Sequence, residues 1–521
     1  MAIQYLTNAS VMGPDGNVDA GRTLAIEGGR IAAILSELPS AEGSASILDL
    51  AGRIVLPGFG DAHLHVSHWG RRLSEPPLGE ARNAAELLAM LAAYYQEHPD
   101  ASGIHVGGFN EEQWTDHGLP DASDLDRIAA DIPVVVGRIC VHKGIVNTYV
   151  LDQLQEQLSS PEYAPYAERN SSGELTGRLT ENAWFLAMNL PRADQLQELK
   201  SALAAGLRDL VRRGYAAAAS QDITSPDEEL FWQALEEVYR EEAGLPLYIA
   251  QVGASSIEEL DRWPLLRERF KEYEKIRIGP LKLFKDGSLG ARTALLSEPY
   301  ADDPSTSGMS LIPFEEQIQW FVEAERRGIQ VITHAIGDLA AAETCSAYLE
   351  AAGRSGSSGN PLRHAIVHAQ ITRPETVMKI HQSCLGVITQ PMFIPSDREM
   401  APLRVGKDVY RSSYAFAEFA RLGVPQAFSS DAPVETADPW FALAQLPDLG
   451  AGERVWGYTK GFAHMNHLEG RMGAIVPGMD ATFTVLDLKD PAYLGDTEKL
   501  QRMHAALVML QGEILEHKLD Q

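Results

Sequence analysis

Short apolar runs alternate with amphipathic stretches along most of this 521-residue chain, and that alternation constrains the fold more than any other feature. Eight runs read as strands: 54–56, 215–220, 247–252, 281–284, 329–333, 365–367, 386–389 and 426–429. Stretches such as 196–213, 226–242, 314–327 and 374–383 lie between them and carry helical periodicity. Strand–helix–strand repetition of this kind predicts parallel pairing with helical crossovers. Eight such units predict an α/β fold, a distorted (β/α)8 TIM barrel.

Two regions fall outside that pattern. Residues 23–27 and 30–34 flank Gly28-Gly29 as a hairpin would. The alternating segment 481–487 and the run 505–510 give the C-terminal end the same character. Neither end can bury a core alone, so both are expected to join in one small β-sandwich domain, residues 1–56 with 471–521. The barrel is expected over 57–470. The gap between the first two barrel strands is too long for one connection. Residues 68–195 are therefore expected to form an inserted subdomain after barrel strand one.

Composition removes several functions. The net charge of −28 disfavours nucleic acid and anionic membranes, which it would repel. No apolar run reaches the ~18 residues a membrane span requires, and the first residues lack the pattern of a signal peptide. Three widely spaced cysteines, Cys140, Cys345 and Cys384, argue against a disulfide framework and for a reducing compartment. A cytoplasmic location is expected, with a small-molecule substrate and a homo-oligomer such as a dimer left open.

Chemistry gathers at the strand ends. The first run leads to Pro57-Gly58-Phe59-Gly60-Asp61-Ala62-His63-Leu64-His65. Alternation along a strand puts His63 and His65 on one face. Later strands carry Lys282, His334, His368 and Asp431 at or near their C-terminal ends. In a barrel those ends converge on the face that holds active sites. Each residue alone has a structural explanation, as a core histidine, a turn or a surface lysine. Six at successive strand ends do not.

Imidazoles and a carboxylate suit a divalent metal: zinc, manganese, cobalt or iron. A buried lysine loses its proton more readily. Its neutral amine can combine with carbon dioxide to give a carbamate that bridges two metals. A hydroxide shared by the pair would attack a carbonyl, while Asp431 ligates one metal and moves the proton. Lys285 competes with Lys282 for the bridging place, and strand periodicity does not choose between them.

The stretch Leu56–His65 resembles the His-x-His signature of the amidohydrolase superfamily. Residues 282–294 look like the lysine motif of its amidohydrolase family 3 branch, which includes N-substituted formamide deformylases. Residues 334–338, 363–370 and 430–434 resemble its later ligand motifs, and the likeness spans nearly the whole chain. The resemblance implies metal ligation by His63, His65, His334, His368 and Asp431, with Lys282 rather than Lys285 carboxylated. His63, His65 and Asp431 would hold the more buried metal, and His334 and His368 a second. Segments 108–114, 141–147 and 177–181 resemble the branch's substrate side. They place Trp114 and His142 in the pocket, His142 helping to hold the developing oxyanion. Arg292, inside the lysine motif, is expected at the substrate. Ala481-Thr482 replaces the Ala-Asp usual in relatives, and Val367 and the 462–467 segment also depart from the family pattern.

The expected function is a metal-dependent amidohydrolase that cleaves a C–N bond other than a peptide bond, an amide of the N-substituted formamide kind above all, with two zinc ions and a Lys282 carbamate as cofactors. A mononuclear deaminase is the enzymatic alternative. Such enzymes use a His-x-x-Glu helper after strand five, where this chain has His334-Ala335-Ile336-Gly337-Asp338. A non-catalytic protein that keeps the fold for assembly is the other alternative, and such proteins typically lose ligands.

Overall fold

The computed structural model describes residues 3–39, 45–99, 101–111, 114, 118–138, 143–190 and 195–519. The chain divides into two compact units, Met1–Gly70 with Lys200–Gln521, and Arg71–Leu199.

In the first unit eight strands run in sequential order and in parallel. They are β1 (Phe59–Leu64), β2 (Tyr215–Ile223), β3 (Leu247–Val252), β4 (Ile276–Phe284), β5 (Val331–Ala335), β6 (Ala365–His368), β7 (Gly386–Thr389) and β8 (Gln426–Phe428). This is the expected α/β barrel. Strands β8 and β1 share no ladder. The backbone beyond β8 bridges them instead. The Asp431 N–H donates to the His63 carbonyl at 2.9 Å, and the His65 N–H donates to the Ala432 carbonyl at 2.8 Å.

Inward residues such as Ala62, Ala217, Ile249, Ile332, Val367 and Ile388 pack the barrel interior with Phe462 and Met465. The glycines opposite those large side chains leave room for them. A Cβ on Gly60 would lie 2.4 Å from the Phe462 ring, and one on Gly386 would lie 2.2 Å from the Met465 methyl. The departures at Val367, Phe462 and Met465 are differences of core packing; Phe462 and Met465 lie toward the end of the barrel where its strands begin, and Val367 directly precedes His368.

One strand was misplaced by the sequence pattern. The run beginning at Ile54 is not the first barrel strand. Ile54–Pro57 lies between the N-terminal strand Gln4–Met12 and the C-terminal strand Phe483–Leu486. Gly58 is the crossing point, and β1 starts at Phe59. A Cβ there would meet Thr482 Cγ2 at 2.5 Å, so only glycine lets the chain pass from one sheet to the next. The terminal sheet also includes Val18–Glu27, Arg30–Leu35, Ser46–Asp49, Ala505–Leu510 and Glu513–His517. Both chain ends therefore build it, around Leu6, Leu24, Val55, Phe483 and Leu507.

The second unit is a five-stranded sheet in the order Ala167–Arg169, Leu175–Thr180, Lys143–Val146, Val134–Arg138, Ile104–Phe109. Its strands are mixed, with the Ile104–Phe109 and Val134–Arg138 pair parallel. Helices Ala84–Glu97 and Thr148–Leu158 cover it with buried leucines. Among the described residues no helix is long and apolar enough to cross a membrane.

Candidate active site

Barrel geometry brings all six predicted ligands to one cavity of about 390 Å³, lined by His63, His65, Lys282, His334, His368 and Asp431. His63 and Lys282 lie within strands, and His368 ends β6. The strand backbone fixes their Cα positions, and second partners fix their rings.

Each histidine has one ring nitrogen occupied by an acceptor. His63 Nδ1 donates to Gln251 Oε1 at 2.5 Å, and Gln251 Nε2 donates to the Ala62 carbonyl at 2.8 Å, which fixes the amide's orientation. His65 Nδ1 donates to the Gln221 carbonyl at 2.6 Å. His368 Nδ1 donates to Gln390 Oε1 at 3.0 Å, while Gln390 Nε2 donates to Ser429 Oγ at 2.8 Å. His334 differs, with Nε2 donating to the Gly287 carbonyl at 3.1 Å. The lone pair therefore sits on Nε2 in three rings and on Nδ1 in His334. Partners of this kind set the tautomer of metal-ligating histidines.

Gln251 lies in β3 and Gln390 directly follows β7, strands that bear no predicted ligand, and sequence reasoning missed both. The signal was available: each is a lone amide directly at the end of an apolar run, Leu-Tyr-Ile-Ala-Gln251 and Gly-Val-Ile-Thr-Gln390. Two buried carboxylates, also missed, brace the loops. Asp61 accepts from the N–H groups of His63 and Ser430, and Asp286 from those of Leu295, Ile336 and Gly337. Burial pushes both carboxyls up to about 7. His368 and Asp431 adopt left-handed backbone angles, φ 80° and 58°. Non-glycine residues at such angles cost roughly 1–3 kcal/mol each and cluster at functional sites.

At the centre, Asp431 Oδ1 is 3.4 Å from His63 Nε2 and 3.3 Å from His65 Nε2. With both Nδ1 atoms donating elsewhere, the Nε2 atoms of neutral rings are acceptors, and they face another acceptor. Three lone-pair groups that close repel unless a cation or a proton lies among them. The donor set and its spacing, within 4.8 Å, fit a divalent metal. His65 answers with its proton affinity. Burial pulls it down, but the Asp431 hydrogen bond and charge outweigh burial and hold it above the usual histidine value. Burial keeps His63 and His368 well below that value, and His334 falls to about 3, with the Lys282 charge adding to each.

The two candidate lysines separate clearly. Lys282 is buried at the centre, its Nζ 3.4 Å from His63 Nε2, and burial lowers it to about 8. Lys285 points away, donating to the Ile312 carbonyl at 2.9 Å and pairing with Glu343 at 2.7 Å. His334 and His368 stand together with ring centroids 4.4 Å apart. They have no third histidine or carboxylate close enough to complete a metal-binding group among the described residues.

The cavity lining mixes apolar and acidic side chains. Phe284, Leu289, Ile336, Phe393, Met400 and Val434 are apolar. Asp397 and Glu435 are acidic, and their partners are neutral. Tyr414 OH donates to Asp397 Oδ2 at 2.9 Å, Gln370 donates to the same oxygen, and Ser396 bonds Glu435. Burial raises both carboxyls.

The residues expected at the substrate are placed differently. Arg292 does not line this cavity. Its guanidinium is held bidentate by Asp302, at 3.2 and 3.0 Å. Trp114 packs in the apolar core of the 71–199 unit beside Phe109, ring centroids 5.9 Å apart. His142 lies outside the described residues.

The amidohydrolase family model matches residues 46–515. YtcJ of Bacillus subtilis (strain 168), a candidate amidohydrolase, is 27% identical over 90% of both chains. An N-substituted formamide deformylase of Arthrobacter pascens is 24% identical over 95% of both. The crystal structure of a metal-dependent hydrolase from Pyrococcus furiosus superposes with a TM-score of 0.76, at 26% identity over 94% of this chain and all of that one. The chain belongs to the amidohydrolase family.

Proposed function

We propose that this protein is a metal-dependent hydrolase that cleaves the C–N bond of an amide, with an N-substituted formamide as the model substrate. The observation that carries the reading is the meeting of His63 Nε2, His65 Nε2 and the Asp431 carboxylate, acceptors that only a cation or proton reconciles. A first divalent ion would be held by those three residues. A second would be held by His334 and His368, and Lys282, as its carbamate, would supply the carboxylate that the pair lacks. Bound there, divalent ions supply Lewis-acid polarisation of a carbonyl and activation of water near neutral pH.

The chain's own residues do the rest. Gln251, Gln390 and the carbonyls of Gln221 and Gly287 hold the four rings in ligating tautomers. Asp431 accepts the proton from the attacking water and returns it to the leaving nitrogen. The buried apolar side chains Leu289, Ile336 and Phe393 lower the polarity beside the cluster, which strengthens charge interactions there. Asp397 and Glu435 give the cavity wall carboxylates whose partners are neutral donors. An uncharged or cationic amine portion suits that wall better than an anionic one.

The test is a panel of N-substituted formamides, other amides, esters and lactones with metal-loaded protein. Asp431→Asn is expected to abolish turnover while the fold and most metal remain. An active Asp431→Asn variant, or no hydrolysis across the panel, refutes the reading.

A further inference from the structure

A second cavity lies at the other end of the barrel. Its volume is about 460 Å³, and Arg267, Lys271, Tyr273, Arg277, Arg471 and Gln511 are among the residues that line it. Arg277 is the second residue of β4, whose other end carries Lys282. The cavity is therefore near the N-terminal ends of the strands, opposite the catalytic cluster. From this convergence of guanidinium groups we infer a binding site for a small tetrahedral oxyanion, a phosphate group above all.

The charges define the site. In a chain of net charge −28, a wall carrying four basic side chains and the single carboxylate of Glu274 is a local inversion. Two of the cations are committed. Arg471 is tied to Asp480 at 2.8 and 2.7 Å, and Lys271 pairs with Glu268. Arg267 and Arg277 have no carboxylate partner within ion-pair distance among the described residues. Arg267 contacts the Gly328 carbonyl at 3.4 Å. Glu274 forms no ion pair either, and it is exposed. Burial lowers the proton affinity of Arg277, the neighbouring Arg471 lowers it further, and the Asp480 carboxylate offsets part of this. The repulsion between Arg277 and Arg471, which Asp480 offsets only in part, would be relieved by an added anion.

Three separate elements supply the groups. Arg267 lies in the helix Trp263–Arg269, Arg277 in β4, and Arg471 follows the helix Phe462–Met465. Gln511 adds an amide from the turn between two terminal-sheet strands. Guanidinium forks match tetrahedral oxyanions through paired, charge-assisted hydrogen bonds. The cavity admits a small molecule. A polyanion would meet the repulsion of the whole surface, whereas a small anion feels mainly charges within ~8 Å at physiological salt.

The test titrates metal-loaded, full-length protein with inorganic phosphate, and separately with glycerol phosphate, in chloride at constant ionic strength. Calorimetry and the unfolding temperature are the readouts. The expected result is saturable binding with a rise in unfolding temperature. Arg267→Gln, at an exposed helix position, and Arg277→Gln should each weaken binding at least about tenfold, the loss of one charge-assisted bond. Asp431→Asn, at the far end of the barrel, should leave the titration unchanged. Tighter binding of glycerol phosphate than of phosphate would assign the site to a phosphorylated small molecule; the reverse order would assign it to the free anion. An equal temperature rise in chloride alone, wild-type titrations in both arginine variants, or loss of binding in Asp431→Asn would overturn the inference. Failed hydrolysis in the amide panel would leave it standing, because the two tests share no residue whose loss both predict.

Discussion

Asp431 and His63 are joined twice. The Asp431 N–H donates to the His63 carbonyl at 2.9 Å, and the Asp431 carboxylate stands 3.4 Å from His63 Nε2. The same pair thus closes the barrel between its eighth and first strands and forms the floor of the candidate metal site. Fold closure and ligand placement are one structural event here, so ligand spacing is fixed by backbone hydrogen bonds rather than by loop conformation.

Removing the brace of a ligand should cost affinity without removing the ligand. Gln251→Leu leaves His63 Nδ1 without its acceptor, so the ring loses its fixed tautomer. Metal affinity is expected to fall 10- to 100-fold, by the usual effect of such partners. A competitive chelator titration measures it, and circular dichroism should report an unchanged fold.

Lys282 sets a pH dependence on reconstitution. Burial lowers its amine to about 8, so the neutral form that can combine with carbon dioxide grows as pH rises toward and through that value. Metal-free protein given metal and bicarbonate should regain activity faster at pH 8.5, above that midpoint, than at pH 6.5, about 1.5 units below it. Rates independent of both pH and bicarbonate would exclude a carbamate.

The acidic wall predicts selectivity. Asp397→Asn and Glu435→Gln keep size and hydrogen bonding while removing charge. Each should lower kcat/KM for a substrate with a cationic amine portion by several-fold, roughly 1 kcal/mol for one partly exposed charge pair. Neutral substrates should be little affected. Steady-state kinetics on a matched pair of substrates decides this.

Gly58 predicts a stability effect. Gly58→Ala drives a methyl to 2.5 Å from Thr482 Cγ2 at the crossing between the terminal sheet and β1. Overpacking of this kind costs about 1–3 kcal/mol. Thermal unfolding should show it as a lowered midpoint.

Much of this was legible in the chain. Alternating apolar runs gave the barrel because each strand is buried on both faces and reads as a continuous apolar segment. Polar residues terminating such runs marked His63, Lys282, His334, His368 and Asp431. The first strand was misjudged because Ile54–Pro57 and Phe59–Leu64 form one apolar stretch, and only the crowding around Gly58 divides it. Lys282 and Lys285 could not be separated by strand period. Their roles depend on Glu343 and the Ile312 carbonyl, distant in sequence and brought near by folding. Arg292 lay inside a ligand motif, yet Asp302 holds it away from the cavity wall. Gln251 and Gln390 carried the same strand-end signal as the ligands, but an amide does not suggest a metal until it is seen behind a histidine.

The most direct test is metal content, measured by plasma mass spectrometry on wild type and Lys282→Ala alongside hydrolysis. Two metals per wild-type chain, with about one retained and activity lost in the variant, is the predicted result. One metal in both proteins, with activity unchanged in Lys282→Ala, would contradict the account.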